Sequence, residues 1–562
     1  MKRILLLVSL CTLSLQGQTS YHVSLFGQMN KYENTGKAID PNSRNDYSEI
    51  WGWTSPSGKE YAIIGTTLGS SIVDITASDL KESAFLPGPY SYYKYHEFRT
   101  YGNYLFIGSE GSDLAKRAGI QIVDLSTLPD SASFKKSFVW IDTVDISPLT
   151  TKLYYRAHTV SIEKNYLYVN GGDFGGTRIM DIEDPLNPKQ VGSYGKGSTP
   201  YVHDAFIRND TLYAAAIFDG SVDIVDFTMK GHFTEKSAGV MVSVTPTIPE
   251  FWSHQVWLSD DSRYMYVSSE ASNGKLHIYD ISDKKNPIEI SSWMSNPNTS
   301  IHNSFVKGNY LYIAYYTEGF RVLDISDPYT PIEVAFYKTY SNPSAPLFAG
   351  SWGVYPYFAS GKIAVSDMNT GLYIFTVDEK KGGRVNGVVR DAGTNAPLAD
   401  VKVTVTEMGR SIMTDSAGKY LYGSAEGTHT ISFSKPGYIT RLETVNTLPG
   451  LLESFNIELT QGVTSMARDR DSRTPDRFEL FQNYPNPFNP STKISFKLQS
   501  REFTSLKVFN SLGQKIAVLV NQELEAGVYT VEFDASMIPS GLYFYSLQSG
   551  NATSSKRMVL TR

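Results

Sequence analysis

Short apolar runs, each broken by a single aspartate, punctuate the first two thirds of the chain. The core Ile72-Val73-Asp74-Ile75-Thr76 returns as Ile122-Val123-Asp124-Leu125-Ser126, Ile179-Met180-Asp181-Ile182-Glu183, Ile224-Val225-Asp226-Phe227-Thr228, Ile278-Tyr279-Asp280-Ile281-Ser282 and Val322-Leu323-Asp324-Ile325-Ser326, with a weaker copy at Ile374-Phe375-Thr376-Val377. Successive copies lie 50, 57, 45, 54, 44 and 52 residues apart. Each unit runs in one order: a short strand, a turn, an aromatic strand such as Asn103-Tyr104-Leu105-Phe106-Ile107, the aspartate core, and a closing strand such as Val334-Ala335-Phe336-Tyr337. Four short antiparallel strands per repeat make one propeller blade. The pattern therefore predicts an all-β chain led by a seven-bladed β-propeller over residues 19–378.

The seventh unit runs directly into Asp378-Glu379-Lys380-Lys381 and lacks a closing strand. Val23-Ser24-Leu25-Phe26-Gly27 has the pattern of one and is expected to complete blade seven, which removes a pair of exposed sheet edges. Beyond residue 382, alternating strands and Gly/Asp turns predict two small β-sandwich domains, at 383–460 and 476–562, joined by a polar linker at 461–475. At the other end, Met1-Lys2-Arg3 and the apolar stretch Ile4 to Leu15 read as a signal peptide of residues 1–18. A lipidated Cys11 would cut that apolar stretch in half, which disfavours an anchor there. No later segment reads as transmembrane.

Three of these regions resemble known families. The repeat core resembles the LVIVD repeat, and the propeller as a whole resembles secreted choice-of-anchor B proteins; neither resemblance carries an established activity. The turns Thr414-Asp415-Ser416-Ala417-Gly418 and Lys435-Pro436-Gly437-Tyr438 are similar to those of the carboxypeptidase regulatory-like domain, a non-catalytic module. Phe481-Gln482-Asn483-Tyr484-Pro485-Asn486-Pro487-Phe488-Asn489-Pro490, with Gly541-Leu542-Tyr543-Phe544 after it, closely resembles the type A sorting domain of the type IX secretion system. This resemblance implies that the secretion machinery is a partner through residues 476–562, and that the protein is released or attached at the outer-membrane surface.

Composition narrows the chemistry. Cys11 is the single cysteine, so no disulfide, thiolate metal site or cysteine nucleophile is expected in the mature chain. The net charge of −6 argues against nonspecific nucleic-acid binding, which needs an excess of cations. No phosphate loop, dinucleotide fingerprint or nucleophile elbow occurs in the right context.

Histidines supply the one repeated chemical signal. His96, His158, His203 and His302 each precede the aromatic strand of their repeat by 8 residues, and His254 does so by 10. Trp51 and Trp352 fall near this position in the first and seventh blades. A second series, Glu110, Asp173, Asp219, Glu270, Glu318 and Asp367, follows the aromatic strands and should share their face of the disc. The run Tyr90-Ser91-Tyr92-Tyr93-Lys94-Tyr95 leads into the same face. Imidazoles and carboxylates around an axis suit three roles. They can bridge neighbouring blades by hydrogen bonds. They can recognise a polar ligand, an extracellular glycan or a protein. They can also hold one divalent cation, for which His158, His203, His254 and His302 are the candidates. A non-catalytic binding module is the leading expectation. The alternative is a metal-dependent hydrolase or lyase with its site on the propeller axis.

Overall fold

The computed structural model describes residues 20–36, 45–88, 95–110, 119–138, 140–141, 153–195, 201–227, 237–342, 347–407, 410–460, 466–469, 475–535 and 538–561. The signal-peptide reading lies outside the described residues. The chain divides into two compact units, residues 1–381 and 382–562.

In the first unit the described residues form seven sheets built on four antiparallel strands each. Their first strands are Tyr47–Thr54, His96–Tyr101, Thr159–Glu163, Val202–Arg208, Ser253–Leu258, Ser304–Lys307 and Ser351–Tyr355. Each packs against the first strand of the next sheet, and Ser351–Tyr355 packs against Tyr47–Thr54, so the ring closes. Strand alternation builds the core between blades. Ile63 and Ile72 of blade one meet Phe98 and Leu105 of blade two. Their neighbours Ala62, Ile64 and Val73 meet Ala364, Leu372 and Ile374 of blade seven. Because both faces of every sheet are covered, the inner strands are apolar almost throughout, and each buried Ile or Leu contributes about 1.5–3 kcal/mol.

The ring is fastened by its own N-terminal segment. Val23–Met29 pairs antiparallel with Gly371–Val377, running from Val23 opposite Val377 to Met29 opposite Leu372. Ser20–Tyr21 adds a further short strand beside Ile332–Tyr337 of blade six. The repeated aspartate has a structural task. It is the last residue of the third strand in blades one to six, and in blades one, two, five and six its Oδ1 accepts the backbone N–H two residues on: Thr76 at 2.8 Å, Ser126 at 2.9 Å, Ser282 at 2.9 Å and Ser326 at 2.8 Å. A carboxylate closing the turn in this way explains why aspartate recurs where the rest of the core drifts.

The second unit contains two sandwiches. In the first, Gly382–Asp391 pairs with Lys419–Ala425, and a second sheet holds Lys402–Val405, Gly427–Ser434 and Arg441–Thr447. Asp415 Oδ1 accepts N–H groups of Ala417 and Lys419 at 2.9 and 2.8 Å. Gly418 (φ 70°) closes this turn, where a Cβ would lie 2.6 Å from the Val389 carbonyl. In the last sandwich Asn483 is buried and donates from Nδ2 to Pro485 O and Thr492 Oγ1, both at 3.0 Å. Phe488 fills the core beside Ile494, Phe496 and Tyr545. The segment read as a linker contributes a strand instead: Met466–Asp469 pairs with Gly527–Asp534. Polar composition misled here because an open sheet edge bonds any backbone that reaches it.

Candidate functional site

The propeller carries an axial cavity of about 250 Å³. Its wall is set by an irregularity in the first strands. In blade four Val202 and Asp204 pair with successive residues of the second strand and His203 bulges out between them. His254 bulges the same way between Ser253 and Gln255, and Trp352 between Ser351 and Gly353. In blade six His302 and Asn303 both hydrogen-bond Ala314. A bulge cancels the alternation of a strand, so two consecutive side chains can reach the axis. Each of these blades except the seventh therefore offers an imidazole and, directly after it, a second polar group: Asp204, Gln255 and Asn303 all line the cavity.

The imidazoles form a curved stack. Ring centroids are 4.0 Å apart for His158 and His203, 4.2 Å for His203 and His254, 4.2 Å for His254 and His302, and 4.0 Å for His302 and Trp352. His203 Nδ1 lies 3.1 Å from the His254 carbonyl, and His302 Nδ1 lies 2.6 Å from the Trp352 carbonyl. A carbonyl only accepts, so each Nδ1 carries the proton and each Nε2 keeps its lone pair for the axis. One nitrogen ties blade to blade while the other remains a ligand atom.

Charge in the cavity is unevenly distributed. Burial, reinforced by neighbouring imidazoles, holds His203, His254 and His302 well below the usual histidine range, so all three are neutral at pH 7. Burial also disfavours the charged form of His158, but the Glu110 carboxylate, 3.0 Å from its Nδ1, outweighs this and raises its pKa. His158 Nε2 faces His203 Nε2 at 2.6 Å, a hydrogen bond that an ion on His203 would displace. Opposite, burial pushes the Glu270 carboxyl up to about 7, against the opposing effect of the Tyr316 hydroxyl that donates to it at 2.5 Å. Glu270 Oε2 is 3.7 Å from His254 Nε2. Ligand atoms of His203, His254 and Glu270 all come within 4.8 Å of one another. A tetrahedral ion with bonds of about 2.1 Å sets its ligands about 3.4 Å apart, so small side-chain rotations would close this triad on one ion.

Comparison with known proteins agrees with this architecture. Residues 156–195, 253–295 and 303–339, which are blades three, five and six, match the LVIVD repeat. Residues 384–460 match the carboxypeptidase regulatory-like domain, and residues 482–561 match the secretion system C-terminal sorting domain. The chain carries LVIVD repeats and a secretion sorting tail. The tail marks it as secreted or held at the outer-membrane surface, and no helix among the described residues is long and apolar enough to cross a membrane. No curated protein sequence matches the chain. Similar solved structures include the Swd1 β-propeller domain of Myceliophteria thermophila, at 10% identity and TM-score 0.39, covering 58% of this chain and 96% of that one. Another is a Lactobacillus plantarum protein at 12% identity and TM-score 0.42, covering 72% and 99%.

The LVIVD propeller gathers some of the expected site residues and disperses others. His158, His203, His254, His302 and Trp352 form the stack, while His96 lines the wall outside it, because blade two pairs regularly, with His96 opposite Ser109. Trp51 does not hold the histidine position. Blade one resumes regular pairing at Ile50, so Ser48 and Glu49 occupy the bulge and Trp51 falls a layer deeper, 5.0 Å from Tyr355 and 6.4 Å from Phe305. Phe305 in turn packs on Trp257 at 4.6 Å, and Trp257 on Phe206 at 4.7 Å, so these rings form one aromatic cluster.

Of the acidic series, Glu110 and Glu270 reach the cavity because each directly follows its second strand, Tyr104–Ser109 or Tyr264–Ser269. The other four do not line it. Asp173 accepts the Tyr155 N–H at 3.1 Å, and Glu318 pairs with Arg321 at 2.5 Å. Asp367 accepts the N–H groups of Asn369 and Thr370, and Asp219 is exposed. Of the aromatic run at 90–95, Tyr95 alone lies in the described residues; it stacks on Trp352 at 5.5 Å. The wall residues Glu49, Glu97, Arg99, Asp204, Gln255 and Asn303 were missed. For Glu97, Asp204, Gln255 and Asn303 the signal was a polar residue directly after a histidine; Glu49 and Arg99 carried no such signal.

Proposed function

We propose that the chain is a secreted binding propeller that holds one divalent transition-metal ion of the zinc class on its axis, through His203, His254 and Glu270. The observation that supports this reading is the convergence of two neutral imidazoles and one carboxylate within 4.8 Å, in the wall of the axial cavity. Nitrogen-rich donors favour such an ion over calcium or magnesium, which prefer all-oxygen sites. The cavity, with Tyr95 at its edge, is the surface on which an extracellular glycan or protein would engage the ion. A second reading, hydrolysis or elimination at the ion, draws on His158, whose pKa the Glu110 carboxylate raises, as a general acid.

Competition of the tag-free protein with a chromophoric zinc chelator tests the proposal. One tight site per chain is expected, weakened by about a hundredfold or more in His203→Ala and His254→Ala and unaffected in Asp219→Asn. Equal competition by all four proteins would remove the ion from the axis.

A further inference from the structure

Below the histidines the cavity wall becomes acidic. Glu49, Glu97 and Asp204 line it, with Arg99 as the cation among them. Glu49 is 1% exposed and Asp204 6% exposed, and Glu49 Oε1 and Asp204 Oδ1 are buried without a hydrogen-bond partner. Arg99 is committed elsewhere: it donates to the Phe98 carbonyl at 2.7 Å and its guanidinium lies 4.2 Å from the Trp51 ring. It acts on the carboxylates through space and forms no ion pair with them, so three acids share one guanidinium. Asn303 Nδ2 donates to Glu49 Oε2 at 2.8 Å, which fixes the carboxylate and leaves Oε1 as the free acceptor. In blade seven Gly353 makes room for it, since a Cβ there would stand 2.9 Å from Glu49 Oε1.

Unpartnered buried acceptors are costly and are found where a ligand completes them. A bare ion is the wrong occupant, because among the described residues the group whose ligand atoms converge within 4.8 Å is the histidine triad and not these acids. An ammonium group asks for fewer ligands: it carries positive charge and N–H donors for the two open acceptors, Glu49 Oε1 and Asp204 Oδ1.

We propose that this acidic end of the axial cavity is a recognition site for a primary ammonium group on a slim carrier, such as an alkyl amine or an amino sugar. The proposal goes beyond the metal reading and does not rest on it. Isothermal titration of the full secreted chain, stripped with chelator at mildly alkaline pH, tests it with n-butylamine, glucosamine, n-butanol and calcium chloride as probes. Butylamine or glucosamine should bind and butanol should not, and the stronger of the two identifies the carrier. Glu49→Gln and Asp204→Asn should each weaken that binding by about tenfold or more, whereas the exposed Asp219→Asn should leave it intact. Binding of butanol as strong as butylamine, binding of calcium alone, or no heat from either amine would overturn it. Should either variant fail to fold, the comparison of amine with alcohol on the parent protein still decides.

Discussion

Replacing Glu270 by glutamine should stabilise the metal-free propeller at high pH and cripple its metal binding. The carboxyl is held at about 7 against an ordinary 4.5, mainly by burial. A carboxyl whose pKa is raised on folding costs stability as pH climbs from 4.5 to about 7, and above 7 the cost is about 3 kcal/mol. Glutamine keeps the shape and can still accept the Tyr316 hydroxyl, but has no charge to desolvate. All seven tryptophans precede residue 353, so urea unfolding followed by their fluorescence reports on the propeller without the sandwiches. In chelator, Glu270→Gln should gain about 3 kcal/mol at about pH 8.5 and under about 0.5 kcal/mol at about pH 4.5, where the parent carboxyl is protonated in the folded state. With zinc a hundredfold above the parent's Kd the difference should shrink to under about 1 kcal/mol, since the parent gains about 2.7 kcal/mol from the ion and the variant has lost a ligand. An equal gain at both pH values, or none, would refute the reasoning that the Glu270 charge is buried at a cost.

Other parts of the account make their own predictions. Glu110→Gln should destabilise the propeller more at mildly acidic pH than at alkaline pH: the raised His158 pKa contributes stability below 6.5 that is lost as pH rises through the folded value, and urea titrations at the two pH values check it. Deleting the strand Val23–Met29 should open blade seven and lower the propeller's melting temperature by well over about 5 °C, measured by tryptophan fluorescence. Asn483→Ala should cost the last sandwich about 1–3 kcal/mol by orphaning buried acceptors. Far-ultraviolet circular dichroism should register that loss while the tryptophan transition stays in place.

The propeller was legible in the sequence because its signal is carried by turns as well as by cores. The capping aspartate recurs at Asp74, Asp124, Asp280 and Asp324 with a bonded N–H two residues on, and such local chemistry survives drift in the packed residues. Closure by Val23–Met29 was legible for a similar reason, since blade seven lacked a strand that the N-terminal segment could supply. The histidine series was found by counting, yet counting misplaced Trp51, because pairing in blade one skips between Tyr47 and Ile50. The acidic wall was hidden by an assumption of strict alternation. The bulges at His203 and His254 turn Asp204 and Gln255 to the axis beside them, and Glu97 reaches the cavity after His96 without one. Glu110 and Glu270 stood out from Asp173, Asp219, Glu318 and Asp367 by a shift of only one to three residues along a turn, which sequence spacing across unequal repeats does not resolve.

Anomalous diffraction at the zinc edge, from crystals of the tag-free protein grown with zinc, tests the central claim most directly. The account predicts one strong peak on the propeller axis, about 2.0–2.2 Å from Nε2 of His203, Nε2 of His254 and an oxygen of Glu270. Density for zinc only at surface carboxylates, with the axial histidines still hydrogen-bonded to one another, would contradict it.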